Sequence, residues 1–140
     1  MNKNGEIIII EDDEDDQFLL EEVFAKLDFP NKRIYFPDGL AALEYLSNDT
    51  SAPFIILSDI NMPRLNGVEL RHKLQTDARL SLKCIPYLFF STAVNQKIVM
   101  EAYSTSAQGF FVKQTSFDDL FDTIKVIVEY WKKCAAPNNF

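Results

Sequence analysis

The sequence FIILSDINMPRLNG, from Phe54 to Gly67, decides the fold of this chain. It begins with four consecutive apolar residues, too few for a helix and too continuous for a strand with one face in solvent, which predicts a strand buried on both faces. Asp59 follows at the strand end, and the Met-Pro and Asn-Gly pairs beyond it stop a strand and form a turn. In open α/β sheets, ligands bind at the carboxyl ends of the strands. Asp59 is therefore expected at a ligand site, although an aspartate at a strand end also commonly caps a turn or a helix.

The length and composition of the chain fit one domain. Its 140 residues are enough for one hydrophobic core, and we expect a single domain over residues 1–140. With 47% hydrophobic and 25% charged residues, the chain has an ordinary globular composition. The net charge of -7 argues against a nucleic-acid or anionic membrane partner, because both are polyanions. A cation or a basic surface on a partner protein suits this charge better.

Neither the cysteines nor the N-terminus indicates a secreted or membrane protein. Cys84 and Cys134 lack CxxC or metal-ligand spacing, so two reduced thiols are expected. The N-terminal sequence MNKNGEIIII has one lysine and an apolar run of four isoleucines, which is too short for a signal peptide or a transmembrane helix. A cytoplasmic location is therefore expected.

Strand and helix patterns alternate along the chain. Beside the central strand Phe54–Leu57, short β-branched or aromatic runs predict four more strands, at Glu6–Ile10, Arg33–Phe36, Ile85–Phe90 and Phe110–Val112. Helices are predicted around Leu19–Leu27, at Leu40–Leu46, Val68–Gln75 and Lys97–Tyr103, and after a Ser-Phe-Asp-Asp capping-box sequence at Ser116. The polar segment Thr76–Lys83 is predicted to be irregular. This alternation predicts a mainly parallel, doubly wound sheet with helices on both faces.

Chemically active side chains collect where the predicted strands end. Parallel strands bring their carboxyl ends to one edge, where the chain has Glu11, Asp12 and Asp13, Asp59, Ser91 and Thr92, and Lys113. Several carboxylates share a pocket only if protonated or neutralised, and Mg²⁺ neutralises them while binding phosphoryl oxygens. A lysine and a hydroxyl add contacts to a phosphoryl group, and the central Asp59 is a candidate nucleophile because carboxylates form aspartyl phosphates. The alternative for the run EDDEDD, residues 11–16, is the solvated first turn of a helix.

In these features the sequence resembles the receiver domain of two-component response regulators, of the single-domain, chemotaxis-regulator type. The resemblance covers essentially the whole chain and rests on Glu11 and Asp12, the segment SDINMPRLNG around Asp59, the hydroxyl of Ser91 and the Val-Lys pair ending at Lys113. It implies a flavodoxin-like (βα)5 fold with a five-stranded parallel sheet in the order 2-1-3-4-5. It also implies a signalling protein, and not an enzyme acting on other molecules. Such a protein takes a phosphoryl group from a sensor histidine kinase or a histidine phosphotransfer protein and changes a surface that binds a downstream protein.

The resemblance also implies roles for individual residues. Asp59 would be the phosphoacceptor, and Lys113 would pair with the phosphoryl group. The Mg²⁺ ligands would be Glu11, Asp12, Asp59 and the backbone carbonyl of Asn61. Ser91 would be the switch hydroxyl and Phe110 the switching aromatic residue, although Phe110 also fits an ordinary core position.

One departure from the family pattern concerns the loop after the fifth strand. The family usually has a proline after the lysine, in a cis peptide bond, but Gln114 follows Lys113 here. A cis bond without proline costs about 3 kcal/mol. The loop is therefore expected to be less constrained than in proline-bearing relatives.

Three alternative functions are open on the residues alone. An aspartyl-nucleophile phosphatase would need a second aspartate two residues after Asp59, where the chain has Asn61. A flavin-binding module would place its phosphate loop after the first strand, where EDDEDD would repel a phosphate. A receiver-like scaffold that works without phosphorylation would not need the complete set of acids, lysine and hydroxyl.

Overall fold

Five parallel strands lie between two layers of helices. In this computed structural model, which describes residues 1–92 and 94–137, the strands are β1 (Ile7–Ile10), β2 (Arg33–Phe36), β3 (Ile55–Ser58), β4 (Tyr87–Ser91) and β5 (Gly109–Val112). Neighbouring strands are all parallel, in the order β2-β1-β3-β4-β5. The flavodoxin-like fold that the resemblance implies is confirmed.

Helices connect the strands and cover both faces of the sheet. They are α1 (Glu14–Leu27), α2 (Gly39–Leu46), α3 (Gly67–Thr76), α4 (Ala78–Ser81), α5 (Gln96–Ser104) and α6 (Phe117–Lys133). Buried side chains of α1 and α6 form a first core on one face, and those of α2, α3, α4 and α5 form a second core on the other. Along β1, Ile7 and Ile9 belong to the first core, and Ile8 and Ile10 to the second. A strand that serves two cores is apolar at every position, which explains its sequence.

The irregular structure predicted for Thr76–Lys83 is wrong, because this segment contains the one-turn helix α4. The Asp77 side chain accepts hydrogen bonds from the backbone N–H groups of Arg79 and Leu80, at 2.9 and 3.0 Å. Leu80 is buried in the second core. One cap and one buried leucine are too little for helical periodicity to detect. The described residues therefore contain six helices where five were predicted.

The strand register brings the predicted site residues to one edge of the sheet. Ile10 is paired with Ser58 across β1 and β3, and Ser91 is paired with Val112 across β4 and β5. The residues that directly follow these strand ends are Glu11, Asp59 and Lys113.

The turn from β3 into α3 runs close to the strand end. A Cβ atom on Gly67 would lie 2.2 Å from the Asp59 carbonyl oxygen, so only glycine permits this approach. The Gly67 N–H donates to the Ile60 carbonyl at 2.9 Å. Asn66 caps α3 in a reciprocal capping box with Glu69. The helix therefore begins directly against the end of β3.

Both cysteines are free thiols, and the loop after β5 begins with a trans peptide bond. Cys84 is exposed, Cys134 is half-buried, and both are free. Every peptide bond between described residues is trans, including Lys113–Gln114. Among residues 1–92 and 94–137, no helix is long and apolar enough to cross a membrane.

Candidate functional site

Three carboxylates meet at the carboxyl edge of the sheet. One oxygen from each of Glu11, Asp12 and Asp59 lies within 4.8 Å of the other two. Glu11 is 3% exposed, Asp59 is half-buried and Asp12 is exposed, so the cluster opens to solvent on one side. The structure thus brings together the three acids that the resemblance assigns to a metal site.

Lys113 places a positive charge among these acids. Its side chain is buried, and its ammonium group contacts the Glu11 carboxylate directly. The Lys113 Nζ lies 3.7 Å from Asp59 Oδ2 and 3.3 Å from Asp16 Oδ2. The Lys113 backbone N–H donates to the Ser91 carbonyl at 3.0 Å, which fixes the lysine at the end of β4. One ammonium group therefore interacts with carboxylates from three segments of the chain.

Burial and the contact between the two side chains shift the pKa values of Glu11 and Lys113. Burial raises the pKa of Glu11 to about 7, although the hydrogen bond and charge of Lys113 oppose the rise. For Lys113, burial lowers the pKa, but the Glu11 hydrogen bond and the surrounding carboxylates outweigh it, so the pKa is raised overall. Lys113 therefore stays charged, whereas Glu11 holds a proton more readily than a carboxyl group in water.

Backbone hydrogen bonds give Asp59 and Asp13 different roles. The Asp59 N–H donates to the Ile10 carbonyl at 3.0 Å, and Asp59 Oδ1 accepts a hydrogen bond from the Ile60 N–H at 2.7 Å. Asp13 instead caps α1 by accepting from two backbone N–H groups of its first turn. Both interpretations of the acidic run thus apply, because its first two residues join the cluster and its third caps the helix.

The structure places the remaining candidate residues nearby. Ser91 is buried at the end of β4, and Asn61 is exposed in the turn two residues after Asp59. Phe110 is half-buried in β5, where its ring centroid lies 6.0 Å from that of Phe89 in the second core. This packing is that of a core residue. The metal role of Asn61 and the switching roles of Ser91 and Phe110 stay predictions.

Sequence reasoning missed three residues that contact this site. Asp16 pairs with Lys113 from the first turn of α1. Ser58 and Tyr87 lie below the Asp59 turn, and their hydroxyl groups are 2.8 Å apart. A serine at the end of an otherwise apolar strand was a visible signal for Ser58. The position of Tyr87 depends on the packing of β4 against β3 and leaves no mark in the sequence pattern.

The donors at the site suit a hard divalent cation. The three clustered side chains offer only carboxylate oxygens, which Mg²⁺ prefers, whereas Zn²⁺ favours nitrogen and sulfur ligands. Clustered carboxylates repel one another, and a bound cation relieves that repulsion. A divalent metal site fits this edge of the sheet.

Known proteins with similar sequences include response regulators. A sequence profile of the response regulator receiver domain matches residues 7–125. The chain is 30% identical over 129 residues to the probable methanogenesis regulatory protein FilR2 of Methanothrix harundinacea, which covers 89% of this chain and 82% of FilR2. It is 28% identical over 130 residues to the response regulator Rcp1 of Synechocystis sp., which covers 89% of this chain and 87% of Rcp1.

Solved structures of response regulators match most of this chain. The phosphorylated cyanobacterial phytochrome response regulator RcpA has a TM-score of 0.83 and 29% identity, covering 94% of this chain and 96% of RcpA. The Mn²⁺-bound form of Rcp1 has a TM-score of 0.77 and 27% identity, covering 94% and 97% of the two chains. Receiver domains take phosphoryl groups from histidine kinases, and neither the phosphatase nor the scaffold alternative is favoured by these matches. The chain therefore belongs to the response regulator receiver domain family and is a component of phosphorelay signalling.

Proposed function

We propose that the protein accepts a phosphoryl group on a carboxylate oxygen of Asp59. The donor is the phosphohistidine of a sensor histidine kinase or of a histidine phosphotransfer protein. The observation that carries this proposal is the meeting of Glu11, Asp12 and Asp59 within 4.8 Å, beside the ammonium group of Lys113. In the transfer, an oxygen–phosphorus bond forms at Asp59 as the phosphorus–nitrogen bond breaks. The electron pair of the broken bond stays on the histidine ring, which takes up a proton.

The residues around Asp59 orient it and stabilise the transferred group. The Ile60 N–H holds Asp59 Oδ1 through a 2.7 Å hydrogen bond. Lys113 Nζ, 3.7 Å from Asp59 Oδ2, supplies positive charge where phosphoryl oxygens gather. Ser91, at the end of β4, donates its hydroxyl hydrogen to the phosphoryl group after transfer. These roles need the set of side chains that converge at this edge of the sheet.

Mg²⁺ is the proposed cofactor of this site. Its protein ligands are Glu11, Asp12, Asp59 and the backbone carbonyl of Asn61. When bound, Mg²⁺ neutralises the clustered carboxylates and binds phosphoryl oxygens. The all-oxygen donor set supports this choice, as does the Mn²⁺-bound form of the similar protein Rcp1.

We propose that the signal leaves through the surface formed by α5, β5 and α6. Met100, Tyr103 and Val112 are exposed apolar side chains on this surface, and such exposure is typical of sites that bind a partner protein. Ser91 and Phe110 couple the surface to Asp59. The protein promotes only its own phosphorylation and dephosphorylation, and its output is the binding of a downstream protein.

Intact-mass measurement with acetyl phosphate tests the acceptor. The wild-type mass should rise by one phosphoryl group when Mg²⁺ is present, and Asp59→Asn should prevent the rise. Asp13→Asn is the matched control, because it removes a neighbouring acidic charge while asparagine remains a good helix cap. It should be labelled like the wild type. Labelling that persists in Asp59→Asn overturns the assignment of the acceptor.

A further inference from the structure

Two buried hydroxyl groups lie under the turn that carries Asp59. Ser58 Oγ donates to the Asp59 carbonyl oxygen at 2.8 Å. The Tyr87 hydroxyl lies 2.8 Å from Ser58 Oγ and 2.9 Å from the Gly67 carbonyl oxygen. Both Ser58 and Tyr87 are 0% exposed. This hydroxyl pair connects the end of β3, the first residue of β4 and the first residue of α3.

The hydroxyl pair closes a turn that is already tight. The turn, residues 59–67, begins with Asp59 and ends at Gly67, where a Cβ atom would lie 2.2 Å from the Asp59 carbonyl oxygen and 3.0 Å from Ser58 Oγ. Ser58 contacts the first of these residues and Tyr87 the last. The two ends of the turn, which also contains Asn61, therefore contact the same pair of buried hydroxyl groups.

The ring of Tyr87 has a fixed place, so its hydroxyl group does too. The Arg71 guanidinium lies over the ring at 5.6 Å from the centroid, and the Phe89 ring meets it edge-on at 5.2 Å. Arg71 is itself held, because it donates to the carbonyl groups of Thr105 and Ser106. A hydroxyl group on so constrained a ring acts as a rigid support for the turn.

Two hydroxyl protons serve three oxygen–oxygen contacts in this arrangement. When Ser58 donates to Asp59, the Tyr87 proton is shared between Ser58 Oγ and the Gly67 carbonyl. Loss of either hydroxyl therefore leaves a neighbouring oxygen with one hydrogen-bond partner fewer, which favours a shift of the turn.

We infer that Tyr87 and Ser58 are positioning residues for phosphoryl acceptance. They fix the Asp59 backbone, and with it the direction of the carboxylate and of the Asn61 carbonyl that follows. This inference rests on the proposed function, because it concerns how Asp59 is held for that reaction. Neither side chain touches the phosphoryl group, since both lie beneath the turn.

The test compares variants that remove one hydroxyl group each. Tyr87→Phe keeps the ring, and we expect it to slow phosphorylation of Asp59 by acetyl phosphate roughly fivefold, equivalent to about 1 kcal/mol. The Mg²⁺ concentration for half the maximal rate should rise as well. Ser58→Ala should act in the same direction. The double variant should be no slower than the slower single variant, because the two hydroxyls act as one unit.

Tyr35→Phe is the matched control. The Tyr35 hydroxyl donates to Glu21 at 2.8 Å, so this variant loses a hydrogen bond of the same length away from the Asp59 turn. It should lower stability to urea without changing the phosphorylation rate or its Mg²⁺ dependence. In metal-free protein, amide chemical shifts of residues 59–67 should move in Tyr87→Phe and stay in place in Tyr35→Phe.

Two failures are distinguishable in this experiment. Wild-type rates and unmoved amide shifts of residues 59–67 in Tyr87→Phe and Ser58→Ala overturn the inference and leave the proposed function standing. A wild-type protein that is never phosphorylated overturns the proposed function, and the amide shifts and a Mg²⁺ titration then decide whether the hydroxyl pair holds the turn. If Tyr87→Phe does not fold, Ser58→Ala decides alone.

Discussion

Lys113 balances the acids at the carboxyl edge of the sheet. It contacts Glu11, and its Nζ lies 3.3 Å from Asp16 Oδ2. We expect Lys113→Met to lower the free energy of unfolding by about 1 to 2 kcal/mol at pH 7 without metal, because the buried Glu11 loses its hydrogen-bond partner and takes up a proton. Urea denaturation measures this change.

The double variant Glu11→Gln, Lys113→Met serves as the control for this prediction. It removes both charges of the buried pair and should recover most of the lost stability. If Lys113→Met alone is as stable as the wild type, the ammonium group does not stabilise the folded state of the metal-free protein.

Glu21 links α1 to β2 and makes stability depend on pH. The hydrogen bond from Arg33 lowers the pKa of Glu21 against the effect of burial, and the Tyr35 hydroxyl adds to the lowering. A pKa below the unfolded value means that this interaction stabilises the protein above about pH 4.3, and that the stabilisation is lost as pH falls through the folded pKa. We expect Glu21→Gln to lower the free energy of unfolding by up to about 1 kcal/mol at pH 7, because the pair is partly exposed.

Urea denaturation at pH 7 and at about pH 3 checks this prediction. The difference between Glu21→Gln and the wild type should shrink at the lower pH. Glu22→Gln, at the exposed neighbouring position, should match the wild type under both conditions. A Glu21→Gln effect of equal size at both pH values would contradict the assigned pKa direction.

Among the elements, α4 depends on one side chain. Asp77 accepts from two backbone N–H groups of α4, and it is also the C-cap residue of α3. We expect Asp77→Ala to lower the free energy of unfolding by about 1 kcal/mol, because the cap is lost. Asp77→Asn keeps an acceptor and should change stability little. Equal losses in both variants, measured by thermal unfolding, would show that the charge matters and the cap does not.

The strands could be predicted from sequence because two cores demand apolar residues at every position of the central strands. The first and last residues of each strand were harder to predict, because backbone pairing between strands decides where a strand begins and ends. The structure drops Phe54 from the predicted third strand and adds Ser58, although Phe54 is as buried as its neighbours. The pattern of apolar side chains in the sequence indicates burial, but it does not show which backbone groups pair between strands.

Some residues of the site could likewise be predicted from the sequence, and some contacts could not. Glu11, Asp59 and Lys113 could be predicted because each directly follows a strand, and parallel strands end at one edge. The Asp16–Lys113 and Ser58–Tyr87 contacts could not, because they join residues far apart in the sequence through side-chain reach.

At the scale of the whole molecule, we expect phosphorylation of Asp59 to change the conformation of the surface formed by α5, β5 and α6. In this prediction the Ser91 hydroxyl would gain a hydrogen bond by moving toward the phosphoryl group, and the movement would leave space into which the Phe110 ring could turn. Such a two-state element needs only a few kcal/mol of differential contact to reverse its populations. We expect Ser91→Ala to accept the phosphoryl group and to show a weaker response on this surface.

Amide chemical shifts with and without beryllofluoride measure the response. Thr92→Ala is the control, because it removes the neighbouring, exposed hydroxyl and should respond like the wild type. Changes confined to the loops around Asp59 in the wild type, or an undiminished surface response in Ser91→Ala, would contradict the coupling.

The packing of α1 against α6 also has a consequence for synthesis on the ribosome. Leu20, Val23 and Phe24 of α1 lie in the first core together with strand residues and the buried side chains of α6. About a hundred residues separate the ends of these helices, which is roughly 5 to 20 seconds of translation. For that time the part of α1 that packs on α6 stays uncovered on the nascent chain, where chaperones can bind it. The core that contains the first helix is thus completed only by α6, and a chain terminated before Phe117 would leave this core incomplete and open to degradation.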